Sequence, residues 1–183
     1  MKTLKSITLF MTLLLALTTL SMAEDSKRKI NRDADKTLTK FYKEVSGSKR
    51  YLERAKGYVV FTDVKEAGFF IGGRYGEGVL RVGGVSKAYY SITSASVGMQ
   101  MGAQQYSLVI AFTTNAALNK FITDDDWDTD IDVNMAVIDW NAEEEADDVD
   151  FGTGAIGFIL DSKGMMGNFT FEGTEFDRIT PKD

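Results

Sequence analysis

Apolar residues Ile30, Ala34, Leu38, Phe41 and Val45 recur every three or four positions, with lysines between them. That spacing predicts an amphipathic helix over about residues 30–45. Ser46-Gly47-Ser48 interrupts the pattern, and Gly47 suits a left-handed helix cap. A second, short helix is predicted over about 48–56, turning Tyr51, Leu52 and Ala55 inward and stopping at Gly57. Beyond Gly57 the pattern changes to short apolar runs separated by glycine. Strands are predicted at 58–61, 67–71, 78–82, 88–95, 97–103 and 106–112, with a turn at Gly83-Gly84. Asn115 to Ile122 reads as one or two helical turns. Later strands are predicted at 131–138, 154–160 and 168–171. The fold class is therefore α+β: N-terminal amphipathic helices packed on a mostly antiparallel, curled sheet.

Two segments interrupt this order. Asp124 to Asp132 and Glu143 to Asp150 are acidic runs and are expected to be solvated loops. At the other end, Lys2 and Lys5 precede an apolar stretch from Ile7 to Leu20, and Ser21-Met22-Ala23 supplies small residues at a cleavage site. These features predict an export signal over residues 1–23. The stretch is shorter than the roughly 20 apolar residues that span a bilayer. The remainder divides into a basic helical region, 24–56, and a β-rich body, 57–183, read as parts of one domain without a linker or repeat between them.

Composition narrows the chemistry. The 183 residues include neither cysteine nor histidine. Disulfides, thiolate metal sites, a lipid-modified N-terminal cysteine and triads built on histidine are all excluded. No cofactor is implied, and the expectation is a protein that is not an enzyme, although carboxylate pairs remain chemically available. The net charge of −6 is unevenly spread. Residues 27–56 carry eleven Lys/Arg and four acids, whereas residues 57–183 carry eight basic and twenty-one acidic side chains. A basic arm on an acidic body implies an anionic partner for the arm, or docking of the arm on its own body.

Several motifs have a plain structural reading. Gly72-Gly73-Arg74-Tyr75-Gly76-Glu77-Gly78 lacks the spacing of a nucleotide loop, so its glycines are expected to permit a hairpin with positive φ. Asp126, Asp128, Asp130 and Asp132 alternate as in a calcium loop, but Ile131 and Val137 stand where an EF-hand needs Gly and Glu. Gly98 and Gly102 sit among glutamines, which fits a tightly packed strand better than a lipid-embedded helix pair.

Three blocks carry a resemblance. AKGYVVFTDVKEAGFFIGGRYGEGVLRV (55–82), YYSITSASVGMQMGAQQYSLVIAF (89–112, followed by Ala117-Leu118 and Phe121) and DSKGMMGNFTFEG (161–173) together resemble the SYLF domain over about residues 48–179. Thr62 stands where the family has a proline, and 139–150 is more acidic than its pattern. The resemblance implies a lipid-binding module with affinity for anionic membrane lipids, and in eukaryotic members for phosphoinositides and actin. Neither of those is available to an exported bacterial protein, so the ligand class carries over without the named ligand. Lipid contact is expected through Arg32, Lys36, Lys40, Lys43, Lys49, Arg50, Arg54 and Lys56, with Arg74 and Arg81 secondary. The implied location is peripheral to a membrane in the periplasm of a Gram-negative bacterium. Nucleic acid is excluded as a partner by export and the acidic body. The alternative is a structural or interaction protein of the envelope whose basic arm docks on a protein partner.

Overall fold

The computed structural model describes residues 26–123, 127–128, 135–139, 154–160 and 173–181. Helix α1 covers residues 26–44 and α2 covers Ser48–Arg54. Two long strands follow, β1 (Gly57–Val82) and β2 (Val85–Phe112), then α3 (Asn115–Thr123). Four short strands complete the sheet: β3 (Trp127–Asp128), β4 (Met135–Asp139), β5 (Ala155–Leu160) and β6 (Thr174–Ile179). The expected signal segment and strand 168–171 lie outside the described residues, as do most positions of the two acidic runs. Trp127–Asp128, within the first acidic run, is a strand paired with β6 rather than loop.

The six strands form one open sheet, an α+β arrangement. β1 pairs along one edge of β2, while β6 and β5 share the other edge at residues 89–94 and 107–112. Pairing is antiparallel except between β4 and β5, which run parallel. β6 has no counterpart among the predicted strands.

The six short strands predicted between 58 and 112 are two continuous strands. The turn joining them is at Gly83-Gly84, where φ values of 59° and 77° provide the mirror-image geometry of a two-residue hairpin. The predicted hairpin at 72–78 is absent: these residues stay in register with β2 from Gly72↔Ser96 to Gly78↔Tyr90. Their glycines have another cause. A Cβ on Gly78 would stand 2.6 Å from Phe61 Cδ1 and 2.7 Å from the Val60 carbonyl oxygen. One on Gly76 would stand 2.9 Å from Val64 Cγ2. β1 therefore folds back on itself. The close approaches 57–81, 60–78 and 64–76 and the ion pair 66–74 all centre on residues 69–70.

Alternation along the strands divides the core between two faces. Leu108, Ile110 and Phe112 face α3, where Phe121 meets Tyr90 at 4.5 Å and Phe112 at 4.8 Å between ring centroids. Val109, Ala111 and Phe158 face α1 and α2, with Phe41 and Tyr51 rings 5.1 and 5.4 Å from Phe158. The five residues whose spacing predicted α1 are all buried in this second core. At the end of α1 the Ser48 hydroxyl donates to the carbonyls of Val45 and Phe41, and Gly47 takes φ 76°.

Candidate functional site

The basic side chains follow from how α1 is held. Its apolar stripe is consumed by the sheet, and polar contacts fix its rotation. Arg81 of β1 reaches Asp35 at 2.7 Å and the Asn31 carbonyl at 3.5 Å. Asn31 Nδ2 donates to the Tyr89 hydroxyl at 2.8 Å, and the Ser86 hydroxyl donates to Asn31 Oδ1 at 2.6 Å. Docked in this way, the helix presents the opposite face to solvent. Arg32, Lys36 and Lys43 are exposed and Lys40 is half-buried. Lys49, Arg50, Arg54 and Lys56, on and just after α2, are exposed as well.

Acidic neighbours temper this face without neutralising it. Asp33 contacts Lys29 at 3.0 Å and Lys36 at 3.1 Å, and Lys40 meets Glu44 at 4.0 Å. Burial pushes the Asp33 carboxyl up, but hydrogen bonds and charge from Lys29 and Lys36 outweigh it and hold the group below the ordinary value. Such surface pairs are worth about 0–1 kcal/mol each. A stronger anion competes for the same ammonium groups at small cost.

Arg74 and Arg81 are not part of that face. Arg74 is 7% exposed, and its guanidinium contacts Glu66 at 3.3 Å and the Thr174 hydroxyl at 3.2 Å while lying 5.9 Å from the Tyr106 ring centroid. A headgroup would have to displace the buried carboxylate that compensates its charge. Arg81 is committed to Asp35 and α1. Both are structural residues in this fold, and the sequence could not show it because their partners lie eight to a hundred positions away.

Two adjoining clefts open beside α1. One, about 260 Å³, is lined by Asp33, Lys36, Thr37, Lys40, Thr62 and Asp63 among others. The other, about 280 Å³, brings Lys29 of α1 next to Lys65, Tyr75 and Glu77 of β1. They share Asp33, Thr62 and Asp63. Asp63 holds φ 55°, at the irregularity where β1 gains a residue between Phe61 and Val64. Lys29, Lys65 and Tyr75 were not singled out by sequence reasoning; nothing in their spacing brings helix and strand together. Among the described residues no group of three acidic side chains is placed to hold a metal ion. No described helix is long and apolar enough to cross a membrane.

Residues 93–180 match the family Ysc84, described as Las17-binding protein actin regulator. The match starts within β2 and ends after β6, so it includes the second and third blocks of the resemblance for the most part and leaves out the first. β1 and the docked helices, which complete both cores, lie before it. No curated protein matches the chain.

Proposed function

Starting from a chain whose residues 93–180 carry a domain of the Ysc84 (SYLF) family, we propose that this is an exported lipid-binding protein rather than an enzyme. It meets anionic membrane surfaces through the solvent face of α1 and α2. The observation that carries this reading is the division of α1: its apolar stripe is spent on the core while its cations remain at the surface. That division also revises the mechanism. An amphipathic helix that enters a bilayer buries its apolar face there. Here Phe41 and Ala34 are fully buried against the sheet, so contact is electrostatic and made by a docked helix. Each basic residue held near an anionic surface adds about 1 kcal/mol, and the sum falls steeply with salt because the Debye length shrinks.

Co-sedimentation of residues 24–183 with vesicles tests it. Binding to phosphatidylglycerol-containing vesicles, absent for pure phosphatidylcholine and reversed by 0.5 M salt, is the expected outcome. Binding to neutral vesicles alone would be incompatible with a lysine-based contact.

The docking of α1 also favours a second reading, an envelope interaction protein whose basic face receives an acidic protein surface. Failure to sediment with any vesicle, together with a stable complex recovered from envelope extract and lost in the Lys36→Glu/Lys40→Glu/Lys43→Glu variant, would select it.

A further inference from the structure

The two adjoining clefts beside α1 hold opposite charges that are not joined to one another. On the basic side, Lys65 is exposed and forms no ion pair with any described residue, and Lys29 has only the surface pair with Asp33. On the acidic side, Asp63 and Glu77 bond to neutral donors. Asp63 accepts from the Gln105 amide at 2.9 Å, and Glu77 accepts from the Tyr75 hydroxyl at 2.8 Å. Thr62 and Asp63 are consecutive, and an unbroken strand would send them to opposite faces. The irregularity between Phe61 and Val64, with φ 55° at Asp63, instead places both residues along the same two clefts. Strand irregularities of this kind re-aim side chains.

This pattern suits neither a simple anion nor a simple cation. A bare phosphate would be drawn to Lys29 and Lys65 but repelled by Asp63 and Glu77, and a bare amine would meet the reverse. A ligand carrying both charges satisfies both groups. For its anionic end, two ammonium groups and the Thr62 hydroxyl come from helix and strand, which fits the several oxygens of a phosphate group. For its cationic end, two carboxylates can accept from the three N–H donors of a primary ammonium, donors that a quaternary ammonium lacks. We propose that this cleft binds a zwitterionic phosphoethanolamine group, with phosphate toward Lys29 and Lys65 and ammonium toward Asp63 and Glu77. The group has two sources, a lipid headgroup and a free phosphate ester. With the first, the inference rests on the membrane reading above; with the second, it does not.

Amide-resolved NMR titration of residues 24–183 with O-phosphoethanolamine, phosphocholine, inorganic phosphate and glycine tests the cleft itself. O-Phosphoethanolamine at millimolar concentration is expected to shift the amides of Thr62, Asp63, Lys65 and Glu77. The other three should bind more weakly by roughly fivefold or more, the worth of one lost charged contact. No shift, or equal binding by any of the three, would overturn the inference. The variant Asp63→Asn/Glu77→Gln, in which Asn tolerates the positive φ, is expected to lose the preference for O-phosphoethanolamine over inorganic phosphate. A preference that survives would also overturn it. Vesicles then separate the sources. At equal phosphatidylglycerol content, phosphatidylethanolamine in place of phosphatidylcholine is expected to increase sedimentation when the group is taken from lipid. Equal sedimentation with both mixtures would overturn the lipid source, leave the membrane reading standing and assign the cleft to the free ester. Absence of sedimentation with any vesicle would remove the membrane reading, while the titration still decides the cleft.

Discussion

Gly78 shows how a single position is fixed by contacts far along the chain. Its missing Cβ makes room for a carbonyl oxygen and a phenyl ring of the strand's own first half, and a backbone oxygen has little freedom to move. Gly78→Ala is therefore expected to destabilise the protein by about 1–3 kcal/mol, as overpacking does, read from the urea midpoint. Gly73→Ala, whose added carbon meets nothing nearer than the Ser94 carbonyl at 3.7 Å, should change it by less than about 0.5 kcal/mol. The two glycines look alike in sequence, which is why both were read as turn residues. Titration is a second property set residue by residue. Burial, reinforced by Tyr58, pushes the Tyr42 phenol up to about 12. Burial and the hydrogen bond to Glu77 do the same for Tyr75. Below the ordinary value of 10.0 both states keep these protons. Between there and about 12 the unfolded chain releases them and the folded chain does not, so stability should fall across that window and level off above it. Urea unfolding at pH 9, 10, 11 and 12 measures this.

At the scale of elements, legibility depended on whether the pattern was local. The five apolar positions of α1 were readable because a helix brings residues three and four apart onto one face, and all five are core. The Gly83-Gly84 turn was readable because two adjacent positive-φ residues are a local requirement. The folding of β1 over β1 was not readable, since it depends on pairs such as 60–78 that no periodicity joins. Nor was β6, whose Thr174 and Phe176 matter through Arg74 and Phe121. The Glu66–Arg74 pair bridges the two halves of the fold, so it should hold the hairpin closed. Glu66→Ala leaves a guanidinium buried without its carboxylate and is expected to cost about 3–5 kcal/mol. Arg74→Met with Glu66→Leu, which removes both charges, should recover much of that loss in a double-mutant cycle. A double variant no more stable than Glu66→Ala would mean that the pair contributes through packing instead.

For the whole molecule, the decisive property is the separation of charge. Residues 27–56 are basic and residues 57–183 are acidic. Approach to an anionic surface is thus favourable only when the α1–α2 face leads, which orients the molecule before any contact forms. The same orientation places the cleft lined by Lys29, Lys65 and Tyr75 along one flank of the lysine face. The sequence made the charge division visible, and with it the candidate lysines of α1 and α2. It did not reveal that Arg74 and Arg81 are withdrawn into ion pairs, because burial of a cation is decided by tertiary neighbours. Membrane contact by a docked helix and by an inserted one also differ at this scale, since only insertion requires Phe41 and its neighbours to leave the sheet.

The most direct measurement compares wild-type residues 24–183 with Lys36→Glu/Lys40→Glu/Lys43→Glu in vesicle co-sedimentation at low and high salt, with circular dichroism to verify that both are folded. The expected result is salt-reversible binding of the wild type to phosphatidylglycerol vesicles and a loss of at least roughly a hundredfold in affinity for the variant, from about 1 kcal/mol per lysine removed, with the added carboxylates repelled in the same direction. Equal binding of the two folded proteins would contradict an electrostatic contact through the exposed face of α1.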